Sequence, residues 1–239
     1  MPHPSLAFLP GRDPAPLKGR ASRQPQAPTS DLGRRASLSA LLLSPWLMPS
    51  VWAQALGPAQ SGAASGVQLA MPWPPGRSPQ GFSVSEKFDG VRAVWDGQVL
   101  RFRSGRVIAA PAWFLSALPR VALDGELWMG RGAFDRLSGV VRQTEPDDEA
   151  WRVVKYLVFD APGHAAPFAQ RAPWVRATLA QVQQPWLMPV AQREVSDARA
   201  LQALLQDTVR QGGEGLMLHR ADALWQPGRT DALFKLKPE

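Results

Sequence analysis

The stretch "VSEKFDGVRAVWDG", Val84 to Gly97, decides how this chain is read. It sets Lys87, Asp89, Gly90 and Arg92 in a Lys-x-Asp-Gly-x-Arg pattern between two β-prone runs. Just downstream, Asp96-Gly97 and Ser104-Gly105 are two-residue turn signals, so "VRAVWDGQVLRFRSGRVIA" predicts two consecutive hairpins. Locally, two readings of Lys87 fit. Either Asp89-Gly90 is a turn among solvated charges, or Lys87 is an amine that does covalent chemistry.

Composition bears on that choice. The chain holds 22 Arg but only 5 Lys, namely Lys18, Lys87, Lys155, Lys235 and Lys237. A guanidinium stays protonated in proteins, whereas an ammonium can lose its proton when buried or set among cations, and can then attack an electrophile. With 239 residues, 45% of them hydrophobic, and 10 Trp, there is material for a globular core in one or two domains. The absence of Cys excludes disulfide frameworks, thiol catalysis and zinc-thiolate sites. His3, His164 and His219 are too few and too scattered for a histidine-based metal site. Of the net charge of +7, residues 1–55 carry +4, from six basic and two acidic side chains, so overall basicity says little about a polyanionic partner.

Those first 55 residues read as a targeting segment. In "GRRASLSALLLSPWLMPSVWAQA" the pair Arg34-Arg35 precedes an apolar run that ends in Ala53-Gln54-Ala55, a small-x-small cleavage pattern. Pro45 and Pro49 interrupt the run, which argues against a permanent membrane span. General secretion and twin-arginine export both fit. Residues 56–80, rich in Gly, Ala, Ser and Pro, read as a linker or surface-hugging arm, with the ordered core, 81–239, starting near Gly81.

Within the core, "VALDGELWM", "VVKYLVFDA" and "GEGLMLHRA" supply further strands. Helical patterns cover Ala133 to Arg142, Pro173 to Gln184 and Ser196 to Gln211. In the last, Ser196 can act as cap, Leu201, Leu204, Leu205 and Val209 form an apolar face, and Gly212-Gly213 is a stop. Mainly antiparallel strands with interspersed helices make an α+β domain.

Five short patterns occur in an order that is similar to the ATP-dependent DNA ligases, in particular their short exported bacterial type. They are "EKFDGVRA", "LDGELW" around Glu126, "YLVFDA" around Phe159, "GEGLMLH" around Glu214, and "LFKLKP" with Lys235 and Lys237. The resemblance spans roughly Phe82 to Pro238. It implies an ATP-grasp-like nucleotidyltransferase (adenylation) domain of mainly antiparallel sheets flanked by helices. By the same resemblance, Lys87 attacks the α-phosphorus of ATP and holds AMP, with Asp89 and Arg92 orienting the reacting phosphate and the nick ends. Lys235 and Lys237 contact the nucleotide phosphate and assist Lys87 through like-charge repulsion. Glu126 and Glu214 match acidic positions that contact ribose or hold Mg2+ or Mn2+; Phe159 and Met217 match the residues on the two faces of adenine, although plain core is an equal reading for both. Arg92 and Arg103 match contacts to nicked duplex DNA.

With the leader, the resemblance implies a periplasmic, monomeric enzyme of DNA repair and recombination. The family adds a C-terminal OB-fold to this domain, whereas the sequence ends at Glu239 just after the motif lysines, so the expectation is that the OB-fold is absent and self-adenylation weak. His219 stands where the family commonly has lysine or arginine. An RNA ligase or capping-type nucleotidyltransferase would share the lysine chemistry, and a non-catalytic nucleic-acid-binding remnant would share only the fold.

Overall fold

The computed structural model describes residues 66–238. The expected targeting segment and the first part of the expected linker lie outside the described residues. In chain order the elements are β1 (Gln68–Pro72), β2 (Phe82–Lys87), β3 (Val91–Trp95), β4 (Leu100–Phe102), α1 (Ala112–Ser116), β5 (Leu123–Trp128), α2 (Phe134–Val141) and α3 (Asp148–Trp151). They continue with β6 (Lys155–Asp160), α4 (Phe168–Ala180), β7 (Leu187–Pro189), β8 (Arg193–Glu194), α5 (Ala198–Arg210), β9 (Gly215–Arg220) and β10 (Gly228–Leu236). Two five-stranded sheets result, ordered β1-β10-β9-β2-β8 and β4-β3-β5-β6-β7. All ladders are antiparallel except β1 with β10 and β6 with β7, so the fold is the expected α+β arrangement. Among the described residues no barrel closes, and no helix is long and apolar enough to cross a membrane.

Each sheet buries one face. Alternation in β2 and β9 sends Phe82, Val84, Leu216 and Leu218 to one side, where Phe234 of β10 and Leu201 and Leu205 of α5 complete a small core. Val91, Ala93 and Trp95 of β3 and Leu123 and Leu127 of β5 do the same for the second sheet, over a larger core that includes Phe114, Trp151 and Trp186. There Phe114 stacks on Trp186 at 4.0 Å between ring centroids.

Several expectations are corrected. Gln68–Pro72 is a strand and not a linker, because its residues pair in parallel with β10, with a register shift between Leu69 and Met71. The ordered core thus begins before Gly81. Only the first of the two hairpins is a regular ladder; the second is the single bridge Arg101 to Val107. Asp197, not Ser196, caps α5: its carboxylate accepts from the Ala200 amide at 2.8 Å, and the Ser196 hydroxyl donates to it.

The helix expected from Pro173 begins at Phe168 and carries the proline inside it. An internal proline removes a helix hydrogen bond, but this first turn is held from outside. The Phe168 and Ala169 amides donate to the carbonyls of Ala223 and Ala221, and Arg171 donates to those of Ala166 and Ala223. Arg171 is fully buried and also makes a two-pronged contact with Asp160, at 2.7 and 3.0 Å. Removing one partner of such a pair strands the other as a buried charge. Arg171→Ala is therefore expected to cost about 3–5 kcal/mol, seen in urea as a lower midpoint with an unchanged slope. An unchanged midpoint would show that the clamp does not carry the first turn of α4.

Candidate active site

The pairing register lays out the open face of the first sheet in rows. Lys87 lies opposite Gly215; Ser85 lies opposite Met217, which lies opposite Lys235; Ser83 lies opposite His219, which lies opposite Leu233. On the second sheet Arg92 lies opposite Glu126 and Val94 opposite Asp124, on the face away from the large core. Phe88-Asp89-Gly90 carries the chain from one sheet to the other. No larger residue fits at Gly90: a Cβ there would run into the Leu127 carbonyl and come within 2.8 Å of Glu126 Cγ. The Asp-Gly of the motif is thus a crossing point where two backbones touch.

Between the sheets lies a cavity of about 340 Å³, the size of a small-ligand site. Of the residues singled out from sequence, Lys87, Arg92, Arg103, Glu126, Phe159, Met217, Lys235 and Lys237 line it. Glu214 joins them through its ion pairs with Lys87 and Lys237. Asp89 is exposed and is not part of the lining.

At one end, the Glu214 carboxylate stands between Lys87 and Lys237 and accepts from Lys87 Nζ. Burial alone would raise this carboxyl, but hydrogen bonds from Lys237 and Lys87 outweigh it and hold Glu214 below the usual range. The repulsion expected between the two lysines is therefore bridged by an anion. Glu126 differs: burial pushes it up to about 8, against the pull of Arg92 and Lys87 and with the push of Asp124 and Glu214. Among the described residues no group of three or more His, Asp or Glu is poised to hold a metal. Two carboxylates with only oxygen donors do suit Mg2+, which is commonly held by one or two carboxylates plus substrate phosphates.

Arg92 is bound more tightly than the sequence suggests. Nε and one terminal nitrogen donate to the two oxygens of Asp124 at 2.9 and 2.5 Å, and the other terminal nitrogen donates to the Gln68 carbonyl at 2.7 Å. Its guanidinium lies 5.3 Å from the centre of the Phe159 ring. Phe159 is the extra residue where β6 slips against β5, since Asp124 pairs with Asp160 and Gly125 with Val158. Such a bulge re-aims a side chain, here into the cavity.

His219 also lines the cavity, with its ring held on both sides by the protein. It stacks on Phe168 at 3.8 Å, its Nε2 lies 2.9 Å from Gln68 Oε1, and burial lowers it to about 4, so the ring is neutral. Arg220 faces away, as alternation predicts, and donates to Asp222 and Asp231. Sequence reasoning missed Asp124 and Gln68. Asp124 was legible, because it precedes Glu126 by two and so shares its strand face. Gln68 carries no comparable signal.

Glu126 and His219 oppose each other in pH. Between its ordinary 4.5 and about 8, Glu126 is protonated in the fold but ionised in the unfolded chain, so stability is lost as pH rises through that window. His219 is neutral in the fold but protonated when unfolded between about 4 and 6.5, so stability is lost as pH falls through that window. Thermal denaturation of the metal-free protein should show a decline from pH 6.5 to 8 that Glu126→Gln flattens. The same decline in the variant would assign it elsewhere.

No protein-family model matches the sequence. A DNA ligase of Haemophilus influenzae is 30% identical over 158 residues, which are 66% of this chain and 58% of that protein. The chain thus spans little more than half the length of this curated relative. A solved structure from a study of DNA binding by Lig E DNA ligases is 38% identical, with a TM-score of 0.68 over 72% of this chain and 68% of that one. The fold is shared more distantly by the Chlorella virus DNA ligase-adenylate, 17% identical with a TM-score of 0.59 over 72% and 67% of the two chains. The ATP-dependent DNA ligase of bacteriophage T7 shares it at 17% identity, with a TM-score of 0.56 over 74% and 69%. By its 38% identity to the Lig E structure across two thirds of that chain, this chain belongs to the DNA ligase family, of which it contains the nucleotidyltransferase domain.

Proposed function

We propose that this chain carries out ATP-dependent joining of nicked duplex DNA through a lysine–AMP intermediate on Lys87. The observation that carries this is the position of Lys87 Nζ: at the strand end, on the cavity wall, hydrogen-bonded to Glu214, with Lys235 of β10, two strands away, and Lys237 just after that strand on the same cavity. Unprotonated Nζ attacks the α-phosphorus of ATP; the N–P bond forms as the P–O bond to pyrophosphate breaks. Glu214, already accepting from Nζ, is placed to take the proton. Lys235 and Lys237 face the charge that develops on the phosphate oxygens. Phe159 and Met217 enclose the adenine, and Glu126 and Glu214 are the carboxylates that would hold a divalent cation. Such a cation, when bound, neutralises phosphate charge.

AMP then passes to the 5′-phosphate of a nick, and the adjacent 3′-hydroxyl displaces it as the strand closes. Arg103, with Arg92 behind it, supplies contacts to the DNA backbone that carry no sequence information. Export to the periplasm, supported by the Arg34-Arg35 leader and the Ala53-Gln54-Ala55 site, and a monomeric role in DNA repair and recombination, belong to the same proposal.

Incubated with ATP labelled at the α-phosphate and Mg2+, the protein should gain covalent AMP, slowly, that Lys87→Ala cannot accept, and GTP should not substitute. Label on the Lys87→Ala protein would sink the assignment of the nucleophile, and equal labelling by GTP would favour a capping-type enzyme. Asp124→Ala, which removes two of the three anchors of Arg92 without touching Lys87, should slow strand closure about 100-fold at saturating substrate, the size expected when a reacting group is misplaced by about 1 Å. A change in substrate half-saturation alone would make Asp124 a binding residue instead.

A further inference from the structure

Arg131 sits on the loop between β5 and α2, far along the chain from both Lys87 and Glu214, yet it reaches the segments that present them. One terminal nitrogen donates to Glu86 Oε1 at 2.6 Å, and Glu86 immediately precedes Lys87. Along the way the side chain lies over the turn that ends α5: its Cδ is 3.1 Å from where a Cβ on Gly212 would sit. Glu86 Oε1 in turn stands 3.1 Å from where a Cβ on Gly213 would sit, and Gly213 immediately precedes Glu214. Gly212 has a φ of +79°, so the turn is a left-handed one that favours glycine. Two bare glycines thus let an arginine from the second sheet press against the first sheet at the two places where the reacting pair emerges. The fork of the guanidinium suits this fixed, directional contact better than a flexible ammonium would.

We infer that Arg131 is a positioning residue, a latch that through Glu86 and the Gly212-Gly213 turn fixes the backbones presenting Lys87 and Glu214 to the nucleotide. The latch rests on the lysine–AMP chemistry proposed above, but its geometry can be tested apart from it. The pair is partly exposed, at 35% and 25% of the side chains, and an ion pair of that kind adds little to global stability. Its effect is on where two side chains point.

Three proteins decide the matter: wild type, Arg131→Ala, and the charge swap Glu86→Arg with Arg131→Glu. In Arg131→Ala, lysine–AMP formation at saturating ATP is expected to slow about tenfold, with the ATP half-saturation within about twofold and the thermal midpoint unchanged. The swap should recover most of the rate. Hydrogen exchange reads the latch without any chemistry: amides in residues 84–90 and 211–216 should exchange faster in Arg131→Ala and return toward wild type in the swap. Wild-type exchange in Arg131→Ala, or a swap as slow as the single variant, overturns the latch. Should the wild type take up no AMP, the ligase chemistry fails on its own, and exchange still decides whether Arg131 holds these segments.

Discussion

At Gly90 the chain leaves one sheet for the other so close to the Leu127 carbonyl that a side chain has no room. Everything around the cavity depends on that near contact. It sets the distance between the strand that ends in Lys87 and the strands that carry Arg92 and Glu126, so a nucleophile from one sheet faces carboxylates and cations from the other. A bulkier residue would push the sheets apart at the one place where their spacing is the chemistry.

Charge is then distributed in a consistent way. Asp124 and Asp160 are paired neighbours on adjacent strands, and each is met by its own buried or half-buried arginine. Arg92 serves the cavity side and Arg171 the helix side. His219 stays neutral because burial disfavours its charged form, against the pull of Asp160 and with the push of Arg171 and Arg92. Glu126, by contrast, is left partly unpaired, and its raised affinity for a proton is what an incoming cation would relieve.

Much of this was legible in the sequence, for reasons that differ by residue. Lys87, Glu126, Phe159, Met217 and Lys235 were found through short motifs that resemble those of the DNA ligases, and they line the cavity from both sheets. The ends of α5 were marked by Ser196 and Gly212-Gly213, although the capping residue is Asp197, one position later than expected. What escaped was set by tertiary pairing. Helices α1 and α3, with five and four residues, are too short to show a period. Gln68–Pro72 looks like linker because its strand character comes from β10 beside it, and the first turn of α4 exists only because Arg171 and the residues near Ala223 hold it. Arg131 and Glu86 are separated by 45 positions, and nothing in their local sequence announces the contact.

The β1 strand has a consequence that extends to the aim of the reacting groups. Its first residue gives its carbonyl to Arg92 and its side chain to His219, while its neighbours Leu69 and Ala70 wall the cavity. This edge strand is parallel to β10 and shifts register between Leu69 and Met71. A one-residue slide of this edge would withdraw one of the three anchors of Arg92 without disturbing Lys87. Substitutions in Gln68–Pro72 therefore offer a means of tuning how firmly Arg92 is aimed, acting from the rim of the sheet and leaving the core intact.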